Sequence, residues 1–249
     1  MTLQGKNVLI TGGTRGVGLA IALRLARAGA RVFANYVRDQ QAADALMGIA
    51  QAESLQVTCV RADISDDAGV KLLLGVLDEA SVRVDAFIHC AATGVHRPVE
   101  KLTLRHFDWT FALNVRSFFN LTVQLVPRLN PGAAVIPISS QGAVHAVHQY
   151  TLVGSSKGAL ESMMRHFAAE LAPRGIRVNA ISPGTVFTDA WKVLPDSEAR
   201  LKEASARTPL QRLVTLDEVA DVALFLCSPL SRGIIGQTLV VDGGARIVA

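Results

Sequence analysis

The fold is decided by residues 7–26, which read NVLITGGTRGVGLAIALRLA. A short run of aliphatic residues breaks into a glycine-rich turn, and the turn leads into an apolar segment that reads as a helix. Glycines let the backbone approach a phosphate group, and the free N–H groups of the following helix can bind the anion. The spacing is Gly12-x-x-x-Gly16-x-Gly18 rather than the Gly-x-Gly-x-x-Gly fingerprint. The stretch predicts a phosphate-binding turn, and the alternative is a tight turn that binds nothing.

The alternation of strand and helix continues along the chain. Six further strands are predicted at residues 31–36, 56–61, 86–90, 133–139, 177–182 and 238–241, and helices at residues 39–53, 65–80, 105–129, 153–172 and 215–226. Ser65 is expected to be an N-cap, and residues 215–218 form a capping box. Such alternation requires right-handed crossovers and a parallel sheet covered on both faces. We therefore predict an α/β fold, a single-domain Rossmann-type doubly wound parallel seven-stranded sheet over residues 1–249.

Composition and charge exclude several classes of protein. Half of the 249 residues are hydrophobic, which allows a sizeable core, and the three cysteines show neither a disulfide framework nor a metal-binding spacing. The chain shows no signal-peptide core and no run of about eighteen apolar residues. The net charge of +4 comes with scattered arginines, which do not form a nucleic-acid footprint. We therefore expect a cytoplasmic protein that holds no metal and binds neither nucleic acid nor membrane.

The end of the second strand predicts which dinucleotide binds. A carboxylate there would accept hydrogen bonds from an adenosine ribose and select NAD, but Asn35 and Tyr36 occupy the place. Arg38 follows the strand, and Arg15 lies in the glycine turn. Two guanidinium groups beside the place of a 2′-phosphate favour NADPH as the cofactor, unless both are ordinary surface arginines.

The spacing of one tyrosine and one lysine indicates a candidate catalytic site. Tyr150, one of two tyrosines, precedes Lys157 by seven residues. If the whole stretch is helical, a seven-residue step returns to within roughly 20° and climbs about 10 Å, so both side chains share one face. A phenol beside a fixed cation can stabilise a developing oxyanion. The alternative is a chance solvated pair, which the position of the stretch after a strand end at residues 139–140 disfavours.

Several motifs together resemble the short-chain dehydrogenase/reductase family. They are the glycine turn with Thr11, then Asp63, Asn114, Ser140, Lys157, Pro183-Gly184 and the closing segment at residues 241–244, and the resemblance covers essentially the whole chain. It implies that the pyrophosphate and adenosine phosphate are bound by Gly12, Thr14, Arg15, Gly16 and Val17, and that Asp63, Ile64, Cys90, Ala91, Lys157, Gly184 and Val186 contact the rest of the dinucleotide. Tyr36 and Arg38, from the end of the second strand, complete the expected cofactor-binding residues. The resemblance also implies a homotetramer. Residues 89–92, His-Cys-Ala-Ala, depart from the usual Asn-Asn-Ala-Gly.

A second departure changes the expected reaction. Most of this family carries Tyr-x-x-x-Lys, but the residue four before Lys157 is Val153, which cannot donate a proton. Tyr150 instead gives Tyr-x6-Lys, and the chain is similar here to the bacterial enoyl-acyl carrier protein reductase III type. An enoyl thioester accepts hydride on its β-carbon, two carbons beyond the carbonyl, so the oxygen to be stabilised lies farther from the nicotinamide. A donor one turn farther from the lysine can meet that geometry.

The resemblance implies NADPH-dependent reduction of the carbon–carbon double bond of a trans-2-enoyl thioester, on acyl carrier protein or coenzyme A, in fatty-acid or polyketide-type biosynthesis. Tyr150 would hydrogen-bond the thioester oxygen, while Lys157 would hold the nicotinamide ribose and lower the pKa of the phenol. Two alternatives remain open. One is a reductase of a different activated alkene or of a 3-ketoacyl group, and the other is a dinucleotide-binding sensor without turnover.

Each of the other candidate residues has a functional and a structural interpretation. Ser140 orients substrate or cofactor, or caps a strand end; Asn114 holds a helix irregularity and a water near Lys157, or is an ordinary helix residue. His145 and His148 could supply a general acid, although loop packing is preferred. Residues 185–209, with Trp191, form the expected substrate lid, whose Arg200, Lys202 and Arg207 could meet an acidic acyl carrier protein or could be a solvated helix face.

Overall fold

The structure is a computed structural model, and it describes residues 1–188 and 197–248. Trp191, the stretch 189–196 of the expected lid and the side chain of Arg200 lie outside the described residues. None of the described helices is both long and apolar enough to cross a membrane.

The described residues form two parallel sheets. The strands are β1 (Asn7–Thr11), β2 (Arg31–Tyr36), β3 (Val57–Arg61), β4 (Val84–His89), β5 (Leu129–Pro137), β6 (Arg177–Val178), β7 (Ala180–Pro183) and β8 (Thr238–Val241). The first six pair in the order β3-β2-β1-β4-β5-β6, and β7 pairs with β8. Because the order reverses direction beside β1, the ends of β1 and β4 form the crevice in which doubly wound sheets bind ligands.

The predicted sixth strand is divided at Asn179. The backbone N–H of Asn179 still donates to Val135 O at 3.1 Å. Its side chain, however, donates to Ile234 O at 2.7 Å and accepts from the N–H of Gln237 at 2.9 Å. These bonds draw the chain towards β8, and a single bridge between Ile138 and Ile181 keeps β7 beside the end of β5. The parallel doubly wound fold is confirmed, but the seven-stranded sheet is resolved into six strands plus two.

Helices cover both faces of the sheets. They are α1 (Gly16–Arg27), α2 (Gln40–Ala52), α3 (Asp67–Glu79), α4 (Leu104–Phe111), α5 (Ser117–Leu125), α6 (Thr151–Leu171), α7 (Ser197–Ala206) and α8 (Leu216–Cys227). The capping box of Thr215 and Glu218 is confirmed. The N-cap of α3 is Asp66, which accepts a hydrogen bond from the N–H of Gly69, so the assignment of the cap to Ser65 is wrong.

Neighbouring residues of β1 show how the layers are built. Val8 and Ile10 face a core that includes residues of α1, α2 and α8. Leu9, between them, faces a second core with residues of α3, α5 and α6. Each of these three side chains is almost completely buried, which contributes about 1.5–3 kcal/mol per residue. A strand buried on both faces explains why β1 reads as a continuous apolar run.

Candidate active site

The glycine turn joins β1 to α1 and needs glycine at two points. Gly12 has φ +63°, and a Cβ atom there would lie 3.0 Å from the backbone N and Cα of Ala91. Gly16 has φ +53°, and the nearest atom to a Cβ there is Cγ2 of Thr188 at 3.6 Å. The turn therefore packs against the backbone that follows β4 at one end and leaves space at the other.

The beginning of α1 suits an anion. Arg15 is its N-cap residue and makes no side-chain capping hydrogen bond, and the first turn contains no acidic residue. The N–H groups of Gly16 and Val17, in the first turn, have no partner within the helix. Thr14 is buried just before them. These residues fit the pyrophosphate of a dinucleotide, which would accept hydrogen bonds from those N–H groups.

The end of β2 carries no carboxylate. Asn35 is buried, and its Nδ2 donates to the carbonyl oxygens of Val60 at 3.2 Å and Ala62 at 2.9 Å. Asn35 therefore joins β2 to the end of β3 rather than facing a ligand. The hydroxyl of Tyr36 donates to Oε1 of Gln40 at 2.7 Å.

The two arginines lie on neighbouring segments. The turn that carries Arg15 is bound to β2 by the hydrogen bond from the N–H of Gly13 to Asn35 O, at 3.0 Å. Arg38 follows β2, and both arginine side chains are exposed. Neither forms an ion pair with any residue that the structure describes. Both guanidinium groups therefore remain available to a phosphate group.

The remaining residues expected at the cofactor lie at the same edge. Asp63 follows β3, and its Oδ1 accepts hydrogen bonds from the N–H and the hydroxyl of Ser65. Ile64 is buried. Cys90 and Ala91 follow β4 and donate to Thr11 through their N–H groups.

The last strand end reaches the same region. Gly184 follows β7, and a Cβ there would lie 2.8 Å from Cα of Asp242. Val186 forms a bridge with Val214.

Tyr150 lies just before α6 and not within it. It is the N-cap residue, with φ −115° and ψ 14°, so the condition for a shared helical face with Lys157, a fully helical stretch, is not met. The phenol donates a hydrogen bond to Oγ of Ser140 at 3.4 Å. Burial raises the pKa of Tyr150, and the bond to Ser140 opposes that rise. The phenol is therefore protonated at neutral pH and can act as a hydrogen-bond donor.

Lys157 is buried inside the first part of α6. Its Nζ donates to the carbonyl oxygen of Ile138 at 2.7 Å, two residues before Ser140. Burial lowers the pKa of Lys157 to about 8. The expected lowering of the pKa of Tyr150 by this ammonium is wrong, because burial of the phenol determines the direction of its pKa shift.

Asn114 lies in a π-helical turn, Ala112–Arg116, between α4 and α5. The long helix expected over residues 105–129 is present as a continuous helical segment from Leu104 to Leu125 that contains the irregularity expected at Asn114, and it ends earlier than expected. Oδ1 of Asn114 accepts from the N–H of Thr93 at 2.8 Å, and its Nδ2 donates to Thr93 O and to Oγ of Ser156, each at 2.9 Å. The side chain thus ties the loop after β4 to α6.

Val153 is buried against the same loop. A Cβ atom on Gly94 would lie 2.2 Å from Cγ2 of Val153. The position at which the family usually has its tyrosine is thus filled by a methyl group packed on backbone.

Sequence reasoning missed two histidines. His89 ends β4 and is completely buried, with Nδ1 2.9 Å from Oγ1 of Thr11. Burial and the nearby charge of Lys157 lower the pKa of His89 to about 3, so the ring is neutral. His96 packs edge-on against Tyr150, with ring centroids 5.2 Å apart. His89 could have been suspected from the unusual segment at residues 89–92, whereas no local pattern identifies His96.

Known proteins are similar to this chain over nearly its whole length. The family model described as enoyl-(acyl carrier protein) reductase matches residues 12–246. The 1-cyclohexenylcarbonyl-CoA reductase of Streptomyces collinus is 35% identical over 243 residues, which cover 97% of this chain and 87% of that protein. Enoyl-[acyl-carrier-protein] reductase [NADH] FabI of Escherichia coli K12 is 33% identical over 257 residues, which cover 99% of this chain and 96% of that protein.

A solved structure shows the same fold. A short-chain dehydrogenase from Burkholderia cenocepacia J2315 in complex with NADP has a TM-score of 0.88 and 31% identity, covering 99% of this chain and 100% of that one. The chain therefore belongs to the short-chain dehydrogenase/reductase family of oxidoreductases and is related to its enoyl reductases.

Proposed function

We propose that the protein uses NADPH to reduce the carbon–carbon double bond of a trans-2-enoyl thioester. The observation that carries the proposal is the pair of positions 150 and 153. Tyr150 places a protonated phenol beside Ser140, while Val153 fills the usual tyrosine position with an apolar group. Since the only other tyrosine of the chain, Tyr36, is at the end of β2, Tyr150 is the tyrosine available to the reacting carbonyl.

Tyr150 and Ser140 have different roles in the proposed reaction. A bound nicotinamide would supply hydride to the β-carbon of the substrate. Tyr150 would donate a hydrogen bond to the thioester oxygen, where negative charge develops as the hydride arrives. Its raised pKa suits a group that must hold its proton until that charge appears. The phenol has one O–H, so with substrate bound it would turn from Ser140 to the thioester oxygen, and the hydroxyl of Ser140 would then donate to the phenolic oxygen.

Lys157 and Asn114 would support the same site. The ammonium of Lys157 is largely protonated at neutral pH, since its pKa is about 8, and it would hold the nicotinamide ribose in place of its present bond to Ile138 O. Asn114 would fix the π-helical turn and the loop beside α6. A buried positive charge at this point also favours a negatively charged transition state.

The choice of NADPH is supported by the adenosine end of the site. The side chain of Asn35 is hydrogen-bonded to the end of β3, and no carboxylate stands at this position. Arg15 and Arg38 are exposed on the neighbouring segments. A 2′-phosphate would bring two negative charges to these guanidinium groups. We further propose that the pyrophosphate binds Gly12, Thr14, Gly16 and Val17, and that the remainder of the dinucleotide contacts Tyr36, Asp63, Ile64, Cys90, Ala91, Gly184 and Val186.

The substrate class is supported by the relatives, whose names describe a cyclic enoyl coenzyme A and an enoyl acyl carrier protein. We propose an acyl thioester of either carrier, within fatty-acid or polyketide-type biosynthesis, handled by one domain. A homotetramer is proposed as well. Its support is the apolar surface of α4 and α5, where Phe107, Trp109, Phe119 and Val123 are 42–49% exposed.

An NADPH-oxidation assay with matched substrates tests the proposal. A trans-2-enoyl thioester and a 3-ketoacyl thioester of the same chain length and carrier are compared at equal concentration. We expect rapid oxidation with the enoyl substrate and little with the ketoacyl substrate. Faster oxidation with the ketoacyl thioester would contradict enoyl reduction, and NADPH binding without oxidation in either case would indicate a non-catalytic protein.

A further inference from the structure

The ring of Tyr150 is held by the loop that follows β4. We propose that His96 of this loop is a positioning residue that aims the phenol, and that Gly94 and Val153 form the seat that fixes the loop. The inference rests on the proposed role of Tyr150 as the hydrogen-bond donor. It assigns a purpose to Val153 beyond the absence of a tyrosine.

Tyr150 needs restraint from outside its own helix. As the N-cap residue it lies ahead of α6, and its hydroxyl has a hydrogen bond to Ser140 that is long, at 3.4 Å. A bond of that length fixes direction weakly. The aim of the phenol therefore depends on what touches the ring.

Two glycine backbones and one aromatic side chain lie close to the ring, and a Cβ atom on the second glycine, Gly154, would lie 3.4 Å from Cδ1 of Tyr150. On one side is the backbone of Gly142, where a Cβ atom would lie 2.5 Å from Cε1 of Tyr150. His96 also packs on the phenol, in an edge-to-face contact with an interplanar angle of 67°. Aromatic pairs of this geometry contribute directional packing. Gly142 and Gly154 have no side chain, so the contact of His96 with the ring is the one that a side-chain substitution can remove.

The loop that carries His96 is anchored at two successive residues. Asn114 accepts from the N–H of Thr93 and donates to its carbonyl. The next residue, Gly94, lies directly on Val153, so closely that a Cβ atom there would be 2.2 Å from Cγ2 of the valine. Because Val153 belongs to the first turn of α6, the loop is seated on the helix that Tyr150 caps.

The first experiment replaces His96. His96→Ala removes the ring contact, and His96→Phe keeps an aromatic ring without an ionisable group. We expect His96→Ala to lower kcat by about 10- to 100-fold, the scale expected when a reacting group is displaced by about 1 Å, with the KM for NADPH unchanged. We expect His96→Phe to restore most of kcat. His166→Ala, an exposed histidine of α6, is the matched control.

The second experiment tests the seat. Gly94→Ala would collide with Val153, whereas in the double variant with Val153→Ala the nearest valine-derived atom is Cβ at 3.5 Å, an ordinary contact. We expect Gly94→Ala to lower kcat and the double variant to recover it. Such recovery shows that the effect passes through the contact between these two residues.

A spectroscopic measurement separates positioning from catalysis. The chain has two tyrosines, so a Tyr36→Phe protein labelled with 3-fluorotyrosine reports only on Tyr150 by ¹⁹F NMR. We expect the resonance to move in His96→Ala and Gly94→Ala and to return in His96→Phe and in the double variant. An unchanged resonance in both single variants overturns the inference. A moved resonance with unchanged turnover instead overturns the role of Tyr150 as the donor and leaves the positioning intact.

Discussion

Oγ of Ser140 lies 3.4 Å from the phenolic oxygen of Tyr150 and 3.2 Å from the N–H nitrogen of Gly142, from which it accepts a hydrogen bond. The serine is therefore oriented by backbone before it meets the phenol. Tyr150 in turn reaches Ser140 from the residue just ahead of α6. This contact defines the donor end of the proposed site.

Tyr150→Phe is expected to lower kcat with an enoyl thioester by at least about 100-fold, because the variant keeps the ring and loses the donated hydrogen bond. NADPH binding is expected to survive, since the phenol is proposed to contact the thioester oxygen and not the dinucleotide. Steady-state kinetics and fluorescence titration with NADPH measure the two quantities. Equal turnover in the parent protein and in Tyr150→Phe would contradict the assignment of Tyr150 as the hydrogen-bond donor.

Ser140→Ala is expected to raise the pKa of Tyr150 further, because the hydrogen bond to Ser140 is the contact that lowers it. In a Tyr36→Phe background, ultraviolet titration of the remaining tyrosine reports this pKa directly. Turnover is expected to fall about tenfold, the value of one modest hydrogen bond. An unmoved titration curve would show that the contact is too long to matter.

Much of this arrangement was readable from sequence because it is local. The apolar run of β1, the glycines after it and the capping box before α8 each depend on neighbouring residues, and the structure contains all three. The division of the sixth strand was not readable in that way. It depends on Asn179 bonding to Ile234 and Gln237, more than fifty residues away.

In the candidate site, too, local features follow from the sequence and contacts between distant residues do not. The spacing of Tyr150 and Lys157 and the start of a helix between them follow from the sequence, although the helix begins at Thr151 rather than at the predicted residue 153. The contact of His96 with Tyr150 joins a loop to a helix cap across more than fifty positions. The burial that determines the pKa of the phenol is likewise a property of the packed chain.

Cofactor preference is expected to depend on the two exposed arginines. Arg38→Ala is expected to lower kcat/KM for NADPH by about 10- to 100-fold and to leave the value for NADH nearly unchanged, because a charge-assisted hydrogen bond contributes about 1.5–3 kcal/mol. Arg15→Ala is expected to act in the same direction. Arg61→Ala, exposed at the end of β3, is the control. An equal loss with both cofactors would show that these arginines do not read the 2′-phosphate.

Asn35→Asp is expected to destabilise the protein rather than convert it to NADH. The amide nitrogen that donates to Val60 O and Ala62 O would become a carboxylate oxygen facing the same carbonyl groups in a buried position. Loss of these bonds and burial of an unpaired charge predict about 3–5 kcal/mol lower stability. Thermal unfolding measures the loss, and Asn35→Ser, which keeps a donor, is expected to lose less. A fully stable Asn35→Asp protein that prefers NADH would contradict the structural role of Asn35.

The buried ammonium of Lys157 is expected to make the stability of the protein depend on pH. Its pKa in the folded chain is about 8, below the ordinary 10.5, so between these values the unfolded chain binds more protons than the folded one. Stability then rises with pH across that window, and the cost of burying the charge is present in full below it. A lowering from 10.5 to about 8 corresponds to about 3 kcal/mol.

Lys157→Met removes this dependence. Measured by urea unfolding without cofactor at one protein concentration, the stability of the variant relative to the parent protein is expected to fall by about 3 kcal/mol between neutral pH and pH 10.5. The sign at neutral pH alone is less informative, because the variant also leaves Ile138 O without its donor. Lys71→Met, at an exposed position of α3, is the matched control and is expected to show no such trend. A difference that stays constant with pH would mean that the ammonium of Lys157 is not buried in solution.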